Sequence, residues 1–136
     1  MDSLQTIIKG NSDQEPYPTF AKVDFTMMTE EVRNYVSTNL PNVKNIVLCG
    51  METHVCILQT CYDLLDEGYN VYLCVDGTSS RAPIDRKVAL TQLQQSGVFL
   101  TTTESVAFQL IGSKSNPHFK AISSLVKSKE LPKCLD

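Results

Sequence analysis

Short apolar runs alternate with longer segments of helical periodicity along most of the chain after residue 40. Three of these runs are dominated by apolar residues and predict buried strands at 46–49, 71–75 and 98–101. The segments between and after them predict helices at 53–67, from 83 or 84 to 96, from 103 or 104 to 110, and from 117 onward. Continuous apolar strands that alternate with helices are typical of a parallel sheet covered on both faces. The pattern therefore predicts an α/β protein.

The predicted helix at 53–67 has the clearest amphipathic pattern. Its apolar stripe consists of Ile57, Leu58, Cys61, Leu64 and Leu65. Thr53 is the predicted N-cap, and Gly68 follows at the position where glycine commonly ends a helix. We therefore expect this helix to begin almost directly after the first apolar strand.

The first forty residues are less regular. Residues 1–18 are predicted to form an irregular N-terminal segment, and 20–25 a short extended piece. A helix is predicted over 28–39, with Thr29 as its N-cap. Because the chain has no internal repeat or Gly/Pro-rich linker after this point, 19–136 is interpreted as one domain.

Charge and length narrow the classes of partner. The chain has 136 residues, a net charge of −3 and a pI of about 5.3. This balance gives no electrostatic attraction to nucleic acid or to an anionic membrane, and no apolar run approaches the ~18 residues that span a bilayer. We therefore expect a small-molecule substrate, with neither a nucleic acid nor a membrane as partner.

The cysteines and histidines argue against disulfides and metals. Five cysteines are an odd number, none with C-x-x-C spacing, and the first twenty residues do not resemble a secretory signal. These features predict a reducing, cytoplasmic setting. His54 and His118 lack the spacing of metal ligands, so neither a metal nor another cofactor is expected.

One cysteine lies where chemistry is expected. The run from Ile46 ends at Gly50, and Cys56 follows near the start of the predicted helix. Ligands of open parallel sheets bind beyond the carboxyl ends of the strands, and a helix N-terminus favours a thiolate over a thiol. The first-turn N–H groups could also stabilise an oxyanion. Position alone leaves open the alternative that Cys56 only packs against the sheet.

Two motifs resemble those of the isochorismatase-like cysteine hydrolases, and of the animal isochorismatase domain-containing proteins in particular. They are the stretch Gly50-Met-Glu-Thr-His-Val-Cys56, continued to Thr60, and the stretch Asp76-Gly-Thr-Ser-Ser-Arg81, joined by a third similarity from Gly97 to Ser105. The resemblance runs from about Phe20 to Val126. It implies a three-layer αβα, Rossmann-like fold around a parallel sheet, and a cysteine nucleophile acting with a lysine and an aspartate.

The resemblance assigns roles to particular residues. Cys56 matches the nucleophile that attacks an amide or similar acyl carbon, and Lys22 matches the lysine, within Lys-Val-Asp-Phe-Thr26. The bond between Met51 and Glu52 matches a non-proline cis peptide. The implied oxyanion hole consists of the backbone N–H groups of Glu52 and Cys56.

Four further residues are candidates for the rim of the site: Thr53, His54, Asp76 and Arg81. His54 is interpreted as a packing or rim residue rather than a base. For Asp76 and Arg81, capping of their loop is at least as good an explanation as a role in the site.

The resemblance also exposes a gap. The family's aspartate lies in an apolar strand upstream of the lysine, and the residues before Lys22 contain no such segment. We therefore expect the family domain to be truncated at its N-terminus, turnover to be weak, and an apolar strand edge to be exposed. That edge favours association, as a homo-oligomer or with another chain.

Two functions follow, in different classes. The first is a hydrolase domain with a cysteine nucleophile, acting on a small amide or related acyl substrate, and inactive if the chemistry requires the aspartate. The second is a catalytically silent interaction or assembly protein that keeps the fold. Nuclease activity is sometimes attached to relatives of this fold, but the acidic pI and the lack of interleaved aromatic and basic residues argue against it here.

Overall fold

The computed structural model describes residues 18–128, which fold into an α/β unit. Its strands are β1 (Asn45–Met51), β2 (Asn70–Ser79) and β3 (Phe99–Thr101). Its helices are α1 (Glu30–Asn39), α2 (Leu58–Asp66), α3 (Pro83–Gln95), α4 (Thr103–Ile111) and α5 (Phe119–Ser128), and a π-helical turn, Thr53–Ile57, precedes α2. The predicted α/β class is confirmed.

The three strands form one parallel sheet in the order β1-β2-β3. β1 and β2 pair from Asn45↔Asn70 to Leu48↔Leu73, and pairing resumes at Gly50↔Thr78 after an irregularity. Within this irregularity, residues 74–77 of β2 are opposite the single residue Cys49. The sequence predicted a polar loop from Asp76, which was wrong because β2 continues through Ser79 after this bulge.

The core lies between the sheet and α1, α2 and α3. Its fully buried side chains include Leu73, Val71, Leu93 and Cys61, contributed by β2, α3 and α2. Met28 and Val32 close it from the side of α1. The alternation along β2 explains why Val71 and Leu73 face this core, since side chains two apart on a strand share a face.

The opposite face of the sheet is covered less completely. Val106 and Leu110 of α4 lie near Val47 and Tyr72 of the sheet, and Tyr72 stacks on Phe99 of β3 at 5.0 Å between ring centroids. Helices on both faces give the layered arrangement predicted from the sequence. Leu110 nevertheless remains exposed, so this layer buries less apolar surface than the other.

Helix ends agree with the sequence in two places and differ in a third. The Thr29 side chain accepts a hydrogen bond from the Val32 N–H and caps α1, as predicted. Gly68 has a φ of 83° just after α2, the left-handed conformation in which glycine ends helices. Thr53 is not an N-cap, because its side chain is buried and bonds to β2; Glu52 occupies the cap position of the π-helical turn.

The segment before α1 is not the extended piece expected at 20–25. It bends over α2, where the Met27 N–H donates to Thr60 Oγ1 at 2.8 Å and Thr26 Oγ1 donates to Asp63 at 2.6 Å. Polar groups of this segment therefore form hydrogen bonds with side chains of α2 instead of with the backbone of a neighbouring strand. The predicted irregular segment at 1–18 lies, except for its last residue, outside the described residues.

Within residues 18–128, no helix is long and apolar enough to cross a membrane.

Candidate active site

The end of β1 forms a sharply defined turn. Gly50 has a φ of 131°, which only glycine adopts readily, and the peptide bond between Met51 and Glu52 is cis. The π-helical turn Thr53–Ile57 follows at once, with the Glu52 carbonyl accepting hydrogen bonds from the N–H groups of Val55 and Ile57 at 3.2 and 3.1 Å. The cis bond falls at the position that the sequence resemblance singled out.

Cys56 lies in this turn, at the carboxyl edge of the parallel sheet. Its side chain is half-buried, and its thiol is free. The two N–H groups predicted to form an oxyanion hole, those of Glu52 and Cys56, belong to the same turn. Their function in binding an oxyanion stays a prediction.

Thr53 fixes the turn to the sheet. Its side chain is completely buried, and its Oγ1 donates to the Ser79 carbonyl oxygen at 2.9 Å. Because Ser79 ends β2, this bond joins the carboxyl ends of the two neighbouring strands. Thr53 is thus a buried anchor of the turn rather than an exposed rim residue.

A second threonine connects the turn to the segment that carries Lys22. Thr60 Oγ1 donates to the Cys56 carbonyl oxygen at 2.7 Å and accepts from the Met27 N–H at 2.8 Å. Since Thr60 is buried, both bonds are shielded from water. The sequence did not single out Thr60, because a threonine inside a helix has no distinctive signal.

Lys22 makes contacts within its own loop. Its Nζ donates to the carbonyl oxygens of Asp24 and Phe25 at 2.8 and 2.9 Å. The ammonium group therefore stabilises the conformation of its own loop and forms no hydrogen bond with Cys56. The loop itself is held near the nucleophile turn through Met27 and Thr60.

His54 is the centre of a polar cluster at the same edge of the sheet. Its Nδ1 lies 3.0 Å from Ser80 Oγ and 3.8 Å from Glu52 Oε2, and its Nε2 lies 3.9 Å from Asp85 Oδ2. Glu52 Oε2 also accepts the backbone N–H of Arg81 at 2.7 Å. Sequence reasoning missed Ser80 and Asp85, because neither residue stands out until the loop after β2 folds against the turn.

Asp76 and Arg81, the other predicted rim residues, have different positions. Asp76 accepts hydrogen bonds from the N–H and the Oγ1 of Thr103, at 2.8 and 2.5 Å, and so holds the start of α4. Arg81 enters the cluster around His54 through its backbone only. A different arginine, Arg86, donates to the carbonyl oxygens of Val75 and Thr78 and holds the end of β2.

Two other cysteines are unsuited to be nucleophiles. Burial raises the pKa of the Cys61 thiol to about 12. Burial, together with the nearby Asp76 and Cys49, raises the pKa of Cys74 above its ordinary value. Both groups therefore stay protonated near neutral pH, whereas Cys49 and Cys56 are more accessible.

Among residues 18–128, no group of three or more His, Cys, Asp or Glu side chains is arranged to hold a metal ion.

The chain matches a known family over most of its length. The family model described as "Isochorismatase domain" matches residues 2–105. Isochorismatase family protein 2A of Dictyostelium discoideum is 47% identical over 126 residues, covering 93% of this chain and 63% of that protein. The secreted isochorismatase effector Isc1 of Phytophthora sojae is 44% identical over 125 residues, covering 92% and 60%. The chain thus spans about 60% of the length of these relatives.

Solved structures agree with this assignment. The structure described as the MAR1 ribonuclease of Caenorhabditis elegans superposes with a TM-score of 0.75 at 38% identity, covering 85% of this chain and 58% of that one. The nicotinamidase PncA of Bacillus subtilis reaches a TM-score of 0.64 at 15% identity, which shows a shared fold.

Proposed function

The chain belongs to the isochorismatase family, and we propose that it is a hydrolase domain whose Cys56 thiol attacks a small amide or related acyl compound. The observation that carries this proposal is the position of Cys56 on a tightly bonded turn at the carboxyl end of β1. Thr53 and Thr60 tie that turn to β2 and to the Lys22 loop. A nucleophile held by buried hydrogen bonds is preorganised for attack.

The chemistry would proceed in two steps. The thiolate of Cys56 adds to the acyl carbon. The N–H groups of Glu52 and Cys56 donate hydrogen bonds that stabilise the negative charge developing on the oxygen. The amine or alcohol then leaves with a proton, and water hydrolyses the thioester. A base must first accept the thiol proton. If no aspartate serves as that base, we propose that turnover is slower by about 10²–10⁴-fold than in a complete site.

The reaction requires a free thiol, and Cys49, Cys56, Cys61 and Cys74 are all free. A reducing compartment such as the cytoplasm maintains that state, so we propose it as the location.

Thiol reactivity tests the proposal directly. Iodoacetamide labelling followed by intact-mass detection measures the alkylation rate of each accessible cysteine. We expect a fast labelling phase from Cys56 at neutral pH, because a thiol placed for attack reacts faster than an ordinary surface thiol. Cys56→Ser should remove this phase, and Cys49→Ser, at another accessible thiol, is the matched control that should retain it. Equal reactivity of Cys49 and Cys56 would count against a nucleophilic role.

Within residues 18–128, no strand pairs with the outer edge of β1, and this favours the second candidate, an interaction or assembly protein. The Asn70 N–H donates to the Lys44 carbonyl, so the alternate residues Asn45, Val47 and Cys49 direct their backbone groups away from β2. Asn45–Met51 contains no charged residue or proline, the usual protection of an edge strand. Half of Val47 is exposed (49%). We propose that this edge pairs with another chain, a second copy included.

Light scattering coupled to size-exclusion chromatography distinguishes this candidate. Association through β1 should produce a dimer or larger species that Val47→Lys converts to a monomer. A wild-type monomer that hydrolyses acyl substrates would exclude the assembly role.

RNA cleavage is a further candidate, because three related structures are described as MAR1 ribonucleases, two of them as presumed ones. The net charge of −3 is unfavourable for binding a polyanion. Incubation of a labelled single-stranded RNA with the wild type and with Cys56→Ser tests it. Cleavage by the wild type at low salt would support it, and intact RNA would exclude it.

A further inference from the structure

The His54 cluster contains the three residue types of a hydrolytic triad. Ser80 Oγ lies at hydrogen-bond distance, 3.0 Å, from His54 Nδ1, and the other ring nitrogen lies 3.9 Å from the Asp85 carboxylate, which is beyond hydrogen-bond distance. When the ring proton is on Nε2, the Ser80 hydroxyl donates to Nδ1. A hydroxyl within hydrogen-bond reach of a base is the first requirement for its activation, and a small movement would bring the carboxylate to the other ring nitrogen.

This cluster is distinct from the thiol of Cys56. His54 and Cys56 are two positions apart in the same helical turn, and side chains at that spacing do not face each other. His54 faces Ser80 and Asp85, on the side of the β2–α3 loop. The thiol of Cys56 and the imidazole of His54 therefore leave the turn in different directions.

Two carboxylates lie near the His54 ring. Glu52 Oε2 is 3.8 Å from Nδ1, and Asp85 Oδ2 is 3.9 Å from Nε2. Glu52 Oε2 also accepts the Arg81 N–H at 2.7 Å, which leaves Ser80 Oγ as the atom within hydrogen-bond distance of Nδ1. Ser80 is half-buried and His54 about one-third exposed (31%), which leaves the pair accessible to a small molecule.

The start of α3 lies directly beyond Ser80. Pro83 opens this 13-residue helix, and its N-cap residue, Ala82, supplies no side-chain hydrogen bond to the first turn. The N–H groups of Ile84 and Asp85 are therefore donors in the first turn of a helix, where negative charge is favoured. Ile84 also lines a groove of about 470 Å³. Its walls combine the apolar Pro83, Ile84, Leu90 and Leu100 with the polar Arg86, Lys87, Thr91 and Gln94.

We propose that Ser80, with His54 as its base and Asp85 as the orienting carboxylate, is a second nucleophile of this protein that accepts the acyl group of small apolar esters. Ser80 Oγ bonds to the ester carbonyl carbon while its proton moves to His54 Nδ1. The carbon–oxygen bond to the alcohol then breaks, and the alcohol leaves with that proton. Water hydrolyses the acyl-serine and regenerates the hydroxyl. The groove next to Ile84 is where the acyl chain would lie.

A fluorophosphonate probe tests the proposal without reference to Cys56. Attack by Ser80 forms an oxygen–phosphorus bond and releases fluoride, leaving an adduct that peptide mass spectrometry assigns to one residue. We expect the adduct on Ser80 in the wild type and equally in Cys56→Ser. Labelling should fall by about 10²-fold in His54→Gln, which removes the base, and less in Asp85→Asn. Ser79→Ala is the matched control, because the Ser79 contact with Thr53 uses only the backbone.

The same variants separate this proposal from the one about Cys56. Hydrolysis of p-nitrophenyl butyrate should persist in Cys56→Ser and disappear when Ser80→Ala is added to that variant, with thermal melts confirming that each variant is folded. No adduct on Ser80 in the folded wild type would overturn the proposal. Equal labelling of Ser80 in wild type and His54→Gln would overturn it as well, because the hydroxyl would then need no base. Neither result would affect the thiol reactivity of Cys56.

Discussion

The central strand β2 and the edge strand β1 differ sharply in their surroundings, although they are neighbours in the same sheet. Val71 and Leu73 of β2 are completely buried, whereas half of Val47 and two-thirds of Met51 in β1 are exposed. Yet the candidate nucleophile follows β1. Stability and the proposed chemistry are therefore separated here: β2 anchors the fold, and β1 leads into the turn that carries Cys56, the candidate nucleophile.

The largest expected effect of a point substitution is in the core around β2. Leu73→Ala should lower the free energy of unfolding by about 2–5 kcal/mol, because it removes buried methyl groups and leaves a cavity. Val47→Ala, the matched change on β1, should lower it by less than about 1 kcal/mol. Urea denaturation of both variants measures the difference. Equal losses would contradict the separation.

The next largest effect on the free energy of unfolding is expected at the hydrogen bond between Thr53 and Ser79, which joins the carboxyl ends of the two strands. Thr53→Val keeps the shape of the side chain but leaves the Ser79 carbonyl without its donor, at a cost of about 1–3 kcal/mol. If the turn is preorganised by this bond, the alkylation of Cys56 should also become slower. Thr91→Val, at an exposed threonine in α3, is the control. A stable Thr53→Val protein with unchanged Cys56 reactivity would show that the turn needs no such anchor.

Burial of Cys61 predicts a pH dependence that exposed thiols do not share. Its pKa is raised from 9.0 to about 12 in the folded protein, so the unfolded chain loses this proton first as pH rises. Its contribution to stability is fully present below pH 9 and is lost between pH 9 and 12. Denaturant midpoints measured across this range should fall less in Cys61→Ala. At pH 8, native Cys61 should resist alkylation while Cys49 reacts.

The smallest effect on folding is expected at the free edge itself. Val47→Lys places a charge on a half-exposed position, so the free energy of unfolding should change by about 0.5 kcal/mol or less. The same change should suppress edge pairing, because lysine is a typical protection of edge strands. Sedimentation velocity at several concentrations checks this outcome. Concentration-dependent association that survives the substitution would place the interface elsewhere.

The order of elements was predictable because each carries a local signal. Apolar runs marked the three strands, Thr29 capped α1 as predicted, and Gly68 ends α2 in a left-handed conformation. The predicted length of β2 and the extended piece at 20–25 were wrong for the same reason. Both segments bond to partners far along the chain: β2 continues beside Gly50 and Met51, and the loop before α1 bonds to Thr60.

The candidate site was predictable only in part. Cys56 stood out because a cysteine after a strand and a glycine is a recognisable arrangement. Thr60, Ser80 and Asp85 did not, since their roles depend on atoms that meet only when α2 and the β2–α3 loop pack against the turn. Thr53 was assigned a cap because that is its usual local role, but burial under β2 gave it a different partner.

By itself, the sequence determined the α/β class, the order of the elements and the position of the cysteine, because periodicity and capping act over a few neighbouring residues. Tertiary structure alone decided which polar groups meet. It joined Thr53 to Ser79, linked Cys56 through Thr60 to the Lys22 loop, and surrounded His54 with a hydroxyl and two carboxylates. Hydrogen bonds and ion pairs act over a few ångströms in space, and separation along the chain does not encode that distance.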